Sequence, residues 1–164
     1  MVEYAPKRKY RYGETMYVAE ILKTFYPGAI TISPVRLGKL PEPPEGQQWT
    51  ESERRMLMTS QRWGDAVAIE GGVLHLIEAK LLPSRYPEGE SKLRFYRTLV
   101  PNTESLKQYS WATFVAELWT PTDDILTRSL CRQDSIELHV FEPKWFSIWL
   151  SIYPKTAWRQ PAIE

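Results

Sequence analysis

From Glu14 to Tyr26 the apolar residues Val18, Ile21, Leu22 and Phe25 recur at intervals of three and four, which predicts a helix that Pro27-Gly28 stops. Residues 29–35 alternate loosely and read as a short strand, with Pro34 confining it to an edge or an end. Residues 38–48 form a proline-rich loop, and Thr50 with Glu53 makes a capping box that opens a short helix towards Ser60. Between residues 65 and 80 two apolar runs flank Gly71-Gly72, the pattern of a β-hairpin whose type I′ turn needs positive φ at both central positions. Residues 93–100 then read as a strand. Trp111, Phe114, Val115 and Leu118 read as the stripe of a second helix, starting after Asn102 and ended by Pro121. Residues 136–141 and 146–152 read as a closing hairpin across Glu142-Pro143-Lys144. The order describes one mixed α/β domain over residues 1–164, with a basic arm at 1–12 and a proline-rich insertion at 37–60.

The hairpin carries the chemistry. With Gly71-Gly72 as the two-residue turn, Glu70 faces Val73, Ile69 faces Leu74, Val67 faces Leu76, and Asp65 faces Glu78. Two carboxylates directly opposite on one face lie ~5 Å apart and repel. Their neighbours on that face are apolar, and burying two like charges is unfavourable unless a proton or a cation sits between them. A magnesium ion would resolve the conflict, because hard cations take carboxylate oxygens. Lys80 points to the same face, where its ammonium could hold a phosphate oxygen or an attacking water. A register slip of one residue would instead put the two acids on opposite faces.

Composition narrows the alternatives. Hydrophobic residues make up 43% and charged residues 25%, as in a soluble globular chain. A single cysteine, Cys131, excludes a disulfide framework and any cysteine-only zinc or iron–sulfur site. The two histidines are not at the spacing of a metal-ligand pair, which argues against a zinc enzyme, and no G-x-S-x-G or P-loop motif occurs. The N-terminus lacks the apolar core of a signal peptide. The apolar stretch 145–153 falls short of the ~20 residues that span a bilayer. A reducing, cytoplasmic setting without a membrane partner is expected. The net charge of +1 neither demands nor excludes nucleic acid.

Asp65 followed by Glu78-Ala79-Lys80 at the end of a hairpin resembles the PD-(D/E)XK nuclease superfamily. The tripeptide alone is a weak signal, since Glu90-Ser91-Lys92 and Glu142-Pro143-Lys144 repeat it, but only Glu78-Ala79-Lys80 ends an apolar strand paired with an aspartate. Gly64 stands where the family name has proline. The resemblance implies a restriction-endonuclease-like core: a central mixed sheet flanked by helices in αβββαβ order, here with an extra C-terminal strand. It implies Mg2+ or Mn2+ held by Asp65, Glu78 and the Ala79 carbonyl, with Lys80 orienting the water that attacks a phosphodiester. The family often adds a glutamate from the first helix. Glu14 shares the apolar face of that helix and Glu20 points away, although an acid in a first helical turn is also favoured by the helix dipole. Several branches add a glutamine from the second helix, a role that falls on Gln108.

DNA is the expected partner, with RNA not excluded. Lys7, Arg8 and Lys9 in the arm and Arg85, Lys92, Arg94 and Arg97, interleaved with Tyr86, Phe95 and Tyr96, are the candidate phosphate contacts. The size of the chain suggests a protein partner or a homodimer. The alternative is a non-catalytic assembly protein that keeps the fold and binds partners through an aromatic last strand bearing Trp145, Trp149 and Tyr153.

Overall fold

A computed structural model of the protein describes residues 4–59 and 61–157, with side chains between residues 13 and 152. Its element order is α1 (Tyr4–Phe25), β1 (Ile30–Ile32), β2 (Val35–Leu37), α2 (Glu51–Thr59), β3 (Arg62–Gly64), β4 (Ala66–Glu70), β5 (Val73–Ala79), α3 (Tyr86–Leu99), β6 (Thr113–Thr120), α4 (Ile125–Gln133), β7 (Glu137–Val140) and α5 (Phe146–Ala157). Five strands form one mixed sheet in the order β1-β4-β5-β6-β7, and β2 pairs with β3 in a small second sheet. The fold is of the α/β class, a central mixed sheet with helices on both faces.

The hairpin forms in the expected register. Glu70 pairs with Val73, Ile69 with Leu74, Ala68 with His75 and Val67 with Leu76. Gly71 and Gly72 have φ of 58° and 77°, the left-handed conformation that the turn demands and that glycine adopts without a Cβ clash. β5 then continues the sheet by pairing in parallel with β6, which pairs in parallel with β7. The capping box before α2 is also present: the Thr50 N–H donates to Glu53 at 2.8 Å and the Glu53 N–H to the Thr50 hydroxyl at 3.2 Å.

Four expectations are corrected. Residues 93–100 are not a strand but the end of α3, because Tyr86, Gly89, Leu93, Tyr96 and Val100 fall on one helical face and pack on the sheet. The segment 113–120 is strand β6, not a helix. As an inner strand it is buried on both faces, so the period-two signal vanishes and its apolar residues mimic a helical stripe. The closing hairpin is absent, since residues 146–157 form α5, whose Phe146, Trp149 and Leu150 pack towards α1 at helical spacing. The aromatic last strand therefore does not exist. The basic arm is likewise the start of α1, which runs through Gly13.

Two cores result. Val67, Ile69, Leu74, Leu76 and Leu118 face Leu93 and Tyr96 of α3, Val100 just after it, and Cys131 of α4. Ala66, Ala68, Ile77, Ala79 and Trp119 face Tyr17, Val18 and Ile21 of α1 and Phe146 of α5. No helix among the described residues is long and apolar enough to cross a membrane.

Candidate functional site

Because β4 runs antiparallel to β5, the residue that enters β4 lies beside the end of β5. That places Asp65 against Glu78 and Ala79 at the carboxyl end of a parallel strand, where α/β sheets open a crevice for ligands. The Asp65 carboxylate accepts the Ala79 N–H at 2.8 Å, and its own carbonyl accepts the Ser33 hydroxyl at 2.8 Å. Glu78 is 1% exposed and Lys80 2% exposed, so an acid and an amine are both withdrawn from water at one strand end.

Charges gather tightly around them. The Lys80 Nζ lies 3.7 Å from Glu78, 3.8 Å from Glu88 and 3.9 Å from Glu14. Lys92 Nζ, from α3, lies 3.6 Å from the same Glu78 oxygen and 3.8 Å from Glu88. Arg85 grips Glu88 through two hydrogen bonds of 3.1 Å, which hold that carboxyl below its usual range. Four carboxyls, of Glu14, Asp65, Glu78 and Glu88, thus gather with the three cations Lys80, Lys92 and Arg85.

Burial first, and the Asp65 charge second, push Glu78 up to about 8. Burial also raises Asp65, against its hydrogen bond from Ala79 and the field of Lys80. Glu78, raised by burial and by the Asp65 charge, therefore keeps its proton near neutral pH beside Asp65. Burial opposes the charge on Lys92, but Glu78, Tyr96, Asp65 and Glu88 outweigh it and keep the amine protonated.

The sequence-predicted residues divide on this geometry. Asp65, Glu78, Ala79 and Lys80 come together. Glu14 reaches the group through Lys80, whereas Glu20 turns away and accepts the Trp145 indole N–H at 2.7 Å. Gln108 is corrected: it is exposed, follows the short 3-10 turn Glu104–Leu106, and donates to the Ser105 carbonyl at 2.9 Å. Its segment enters β6 beside the hairpin turn, where the Ala112 N–H bonds the Gly72 carbonyl, at the end of β5 away from Glu78. The α3 basic cluster splits between two helix faces. Arg85 and Lys92 face the acids, while Arg94 pairs with Glu90 and Asp134, and Arg97 donates to the Asp134 carbonyl. The side chains of Lys7, Arg8 and Lys9 lie outside the described residues. Cys131 is buried, and burial pushes its thiol up to about 11, which removes it as a nucleophile at neutral pH.

Two contributors escaped the sequence reading. Glu88 and the pairing role of Lys92 depend on α3, whose Pro87 and Gly89 resemble a loop; Pro87 in fact occupies the first helical turn. Gly89 lets the helix approach the site. A Cβ there would lie 2.8 Å from Leu118 Cδ1 and 2.9 Å from Lys80 Cγ. Gly89→Ala is therefore expected to cost about 1–2 kcal/mol, an overpacking penalty partly offset by helix propensity, seen as a lower urea midpoint.

A second polar group lies on the opposite face of the sheet, where Glu117, Glu137 and His139 bring one ligand atom each within 4.8 Å of the others. Among the described residues no other group of three such side chains is this close, so Glu14, Asp65 and Glu78 are more widely spread. No family model and no curated protein matches the chain. Among solved structures, the chain is similar to a protein of unknown function, AF1548, at 15% identity and a TM-score of 0.46 over 92% of this chain and 72% of that one.

Proposed function

We propose that the protein is a metal-dependent nuclease that hydrolyses DNA phosphodiesters at the Asp65–Glu78–Lys80 cluster. One observation carries this reading: the half-buried Asp65 meets the buried Glu78 and the buried Lys80 at the end of β5. The donor set suits a hard divalent cation such as Mg2+ or Mn2+, because carboxylate oxygens are its preferred ligands and the proton held by Glu78 is displaceable. Asp65, Glu78 and the Ala79 carbonyl would hold the ion, which supplies charge for the phosphoryl oxygens and acidifies a bound water.

The chain's own residues do the rest. The Ala79 N–H fixes the Asp65 carboxylate, and the β5–β6 ladder fixes Glu78. Glu14 and Glu88 hold the Lys80 ammonium from two sides, so that it faces the site as a donor to water or to a phosphate oxygen. Lys92, half exposed beside Glu78, is placed to meet the next phosphate.

Supercoiled plasmid incubated with Mg2+ or Mn2+ tests the reading. The wild-type protein is expected to nick it, and Asp65→Ala to lose at least a hundredfold in rate, as removal of a charge-stabilising group does. Equal cleavage by both proteins, or none by the wild type, would overturn it and leave the cluster as a structural ion-pair network.

A further inference from the structure

We infer that Glu117, Glu137 and His139 form a second cation site, specific for a divalent transition ion of the zinc class, on the face of the sheet opposite Glu78. The site arises from strand register. β6 and β7 run parallel with Glu117 directly beside Glu137, so two acids stand side by side on one sheet face. Two residues on, His139 pairs with Trp119 and turns its Nε2 back towards both acids, 3.1 Å from Glu137 Oε2 and 3.7 Å from Glu117 Oε2. The three atoms lie within 4.8 Å of one another, close enough to converge on a single ion once the proton bridging His139 and Glu137 is released.

The surroundings hold the three groups in place. Glu117 is 1% exposed, and its Oε1 accepts the Tyr26 hydroxyl at 2.6 Å and the Trp119 indole N–H at 3.0 Å. Its Oε2 faces His75 Nδ1 at 2.6 Å and stays directed at His139. The Trp119 ring stacks on the His139 imidazole, with centroids 4.5 Å apart and planes at 10°, which fixes the plane of the ring. Carboxylates and imidazoles pinned by outer hydrogen bonds and stacking are the usual support of a metal site. His139 and Glu137 are 35% and 57% exposed at the side chain, so an ion has a path in and water can complete its coordination. An imidazole beside two carboxylates selects a zinc-class ion over magnesium, which favours oxygen ligands alone.

Calorimetric titration with ZnCl2 tests the site, together with visible absorption on adding Co2+. Asp65→Ala serves as the background, because it disables the acids on the other face. One zinc per chain is expected to bind in that background and to give cobalt bands in the visible. His139→Ala and Glu137→Gln, both at partly exposed positions that should leave folding intact by circular dichroism, should each weaken zinc at least tenfold and erase the bands. Three results would overturn the inference. They are the absence of zinc binding, zinc binding unchanged in His139→Ala, or equal competition by Mg2+. In each case the three side chains are a hydrogen-bonded cluster rather than a zinc-class site.

Discussion

Glu78→Gln is expected to leave the metal-free protein more stable than wild type at pH 8 and about equally stable near pH 5. In the folded chain Glu78 is pushed up to about 8, chiefly by burial and next by Asp65, whereas in the unfolded chain it titrates near ~4.3. Between these values the folded state keeps a proton that the unfolded state releases. Stability from that proton is therefore complete below the unfolded pKa and drains away as pH rises through about 8. The loss is on the order of 4 kcal/mol, at about 1.4 kcal/mol per unit. Glutamine keeps the shape and the neutral amide but does not titrate, so its curve should fall less steeply than that of wild type, the remaining slope coming from Glu90 and Asp65. Urea unfolding in a chelator from pH 5 to 8 measures both curves, and parallel curves would refute the assignment. The same substitution removes a proposed metal ligand. Added Mg2+ should then stabilise the wild type at pH 8 and leave Glu78→Gln unmoved.

What the sequence reveals here depends on how local the signal is. The hairpin was legible because Gly71-Gly72 and its flanking runs determine the turn, the register and the facing pairs within sixteen residues. Asp65, Glu78 and Lys80 came with it. Glu14 could be chosen over Glu20 because helical geometry separates the two faces of α1, and the Trp145 bond to Glu20 bears that separation out. The right half of the sheet was not legible. β6 is covered on both faces, so nothing in its pattern distinguishes it from a buried helix, and Gln108 was misplaced with it. α3 carries Pro87 in its first turn and a glycine that tertiary contact with Leu118 and Lys80 requires, so local rules missed its start and read its second half as a strand. Residues 146–152 alternate well enough for a strand, and only packing on α1 selects the helix. The Glu117–Glu137–His139 group needs the parallel β6–β7 register, which no short-range pattern encodes.

Lys80→Met should be the most damaging single change at the site, and its consequences separate a catalytic lysine from a structural one. The Lys80 stem packs against the position of Gly89, and its ammonium sits 3.7–3.9 Å from three carboxylates without a close bond to any one of them. Methionine fills most of the same volume, so the cavity cost is small. The lost charge is the larger effect, because Glu14, Glu78 and Glu88 then face one another with only Lys92 and Arg85 left to oppose them. Removing one partner from a buried ionic group costs ~3–5 kcal/mol, enough to consume a large part of a domain's stability. Two treatments should restore that stability: lowering the pH, which protonates the acids, and adding Mg2+, which replaces the missing positive charge. If Lys80 only balances charge, the Mg2+-rescued variant should also recover plasmid cleavage. If Lys80 orients the attacking water, the rescued variant stays folded by circular dichroism yet remains at least a hundredfold slow. Recovery of cleavage alongside stability would remove Lys80 from the proposed chemistry while leaving Asp65 and Glu78 within it.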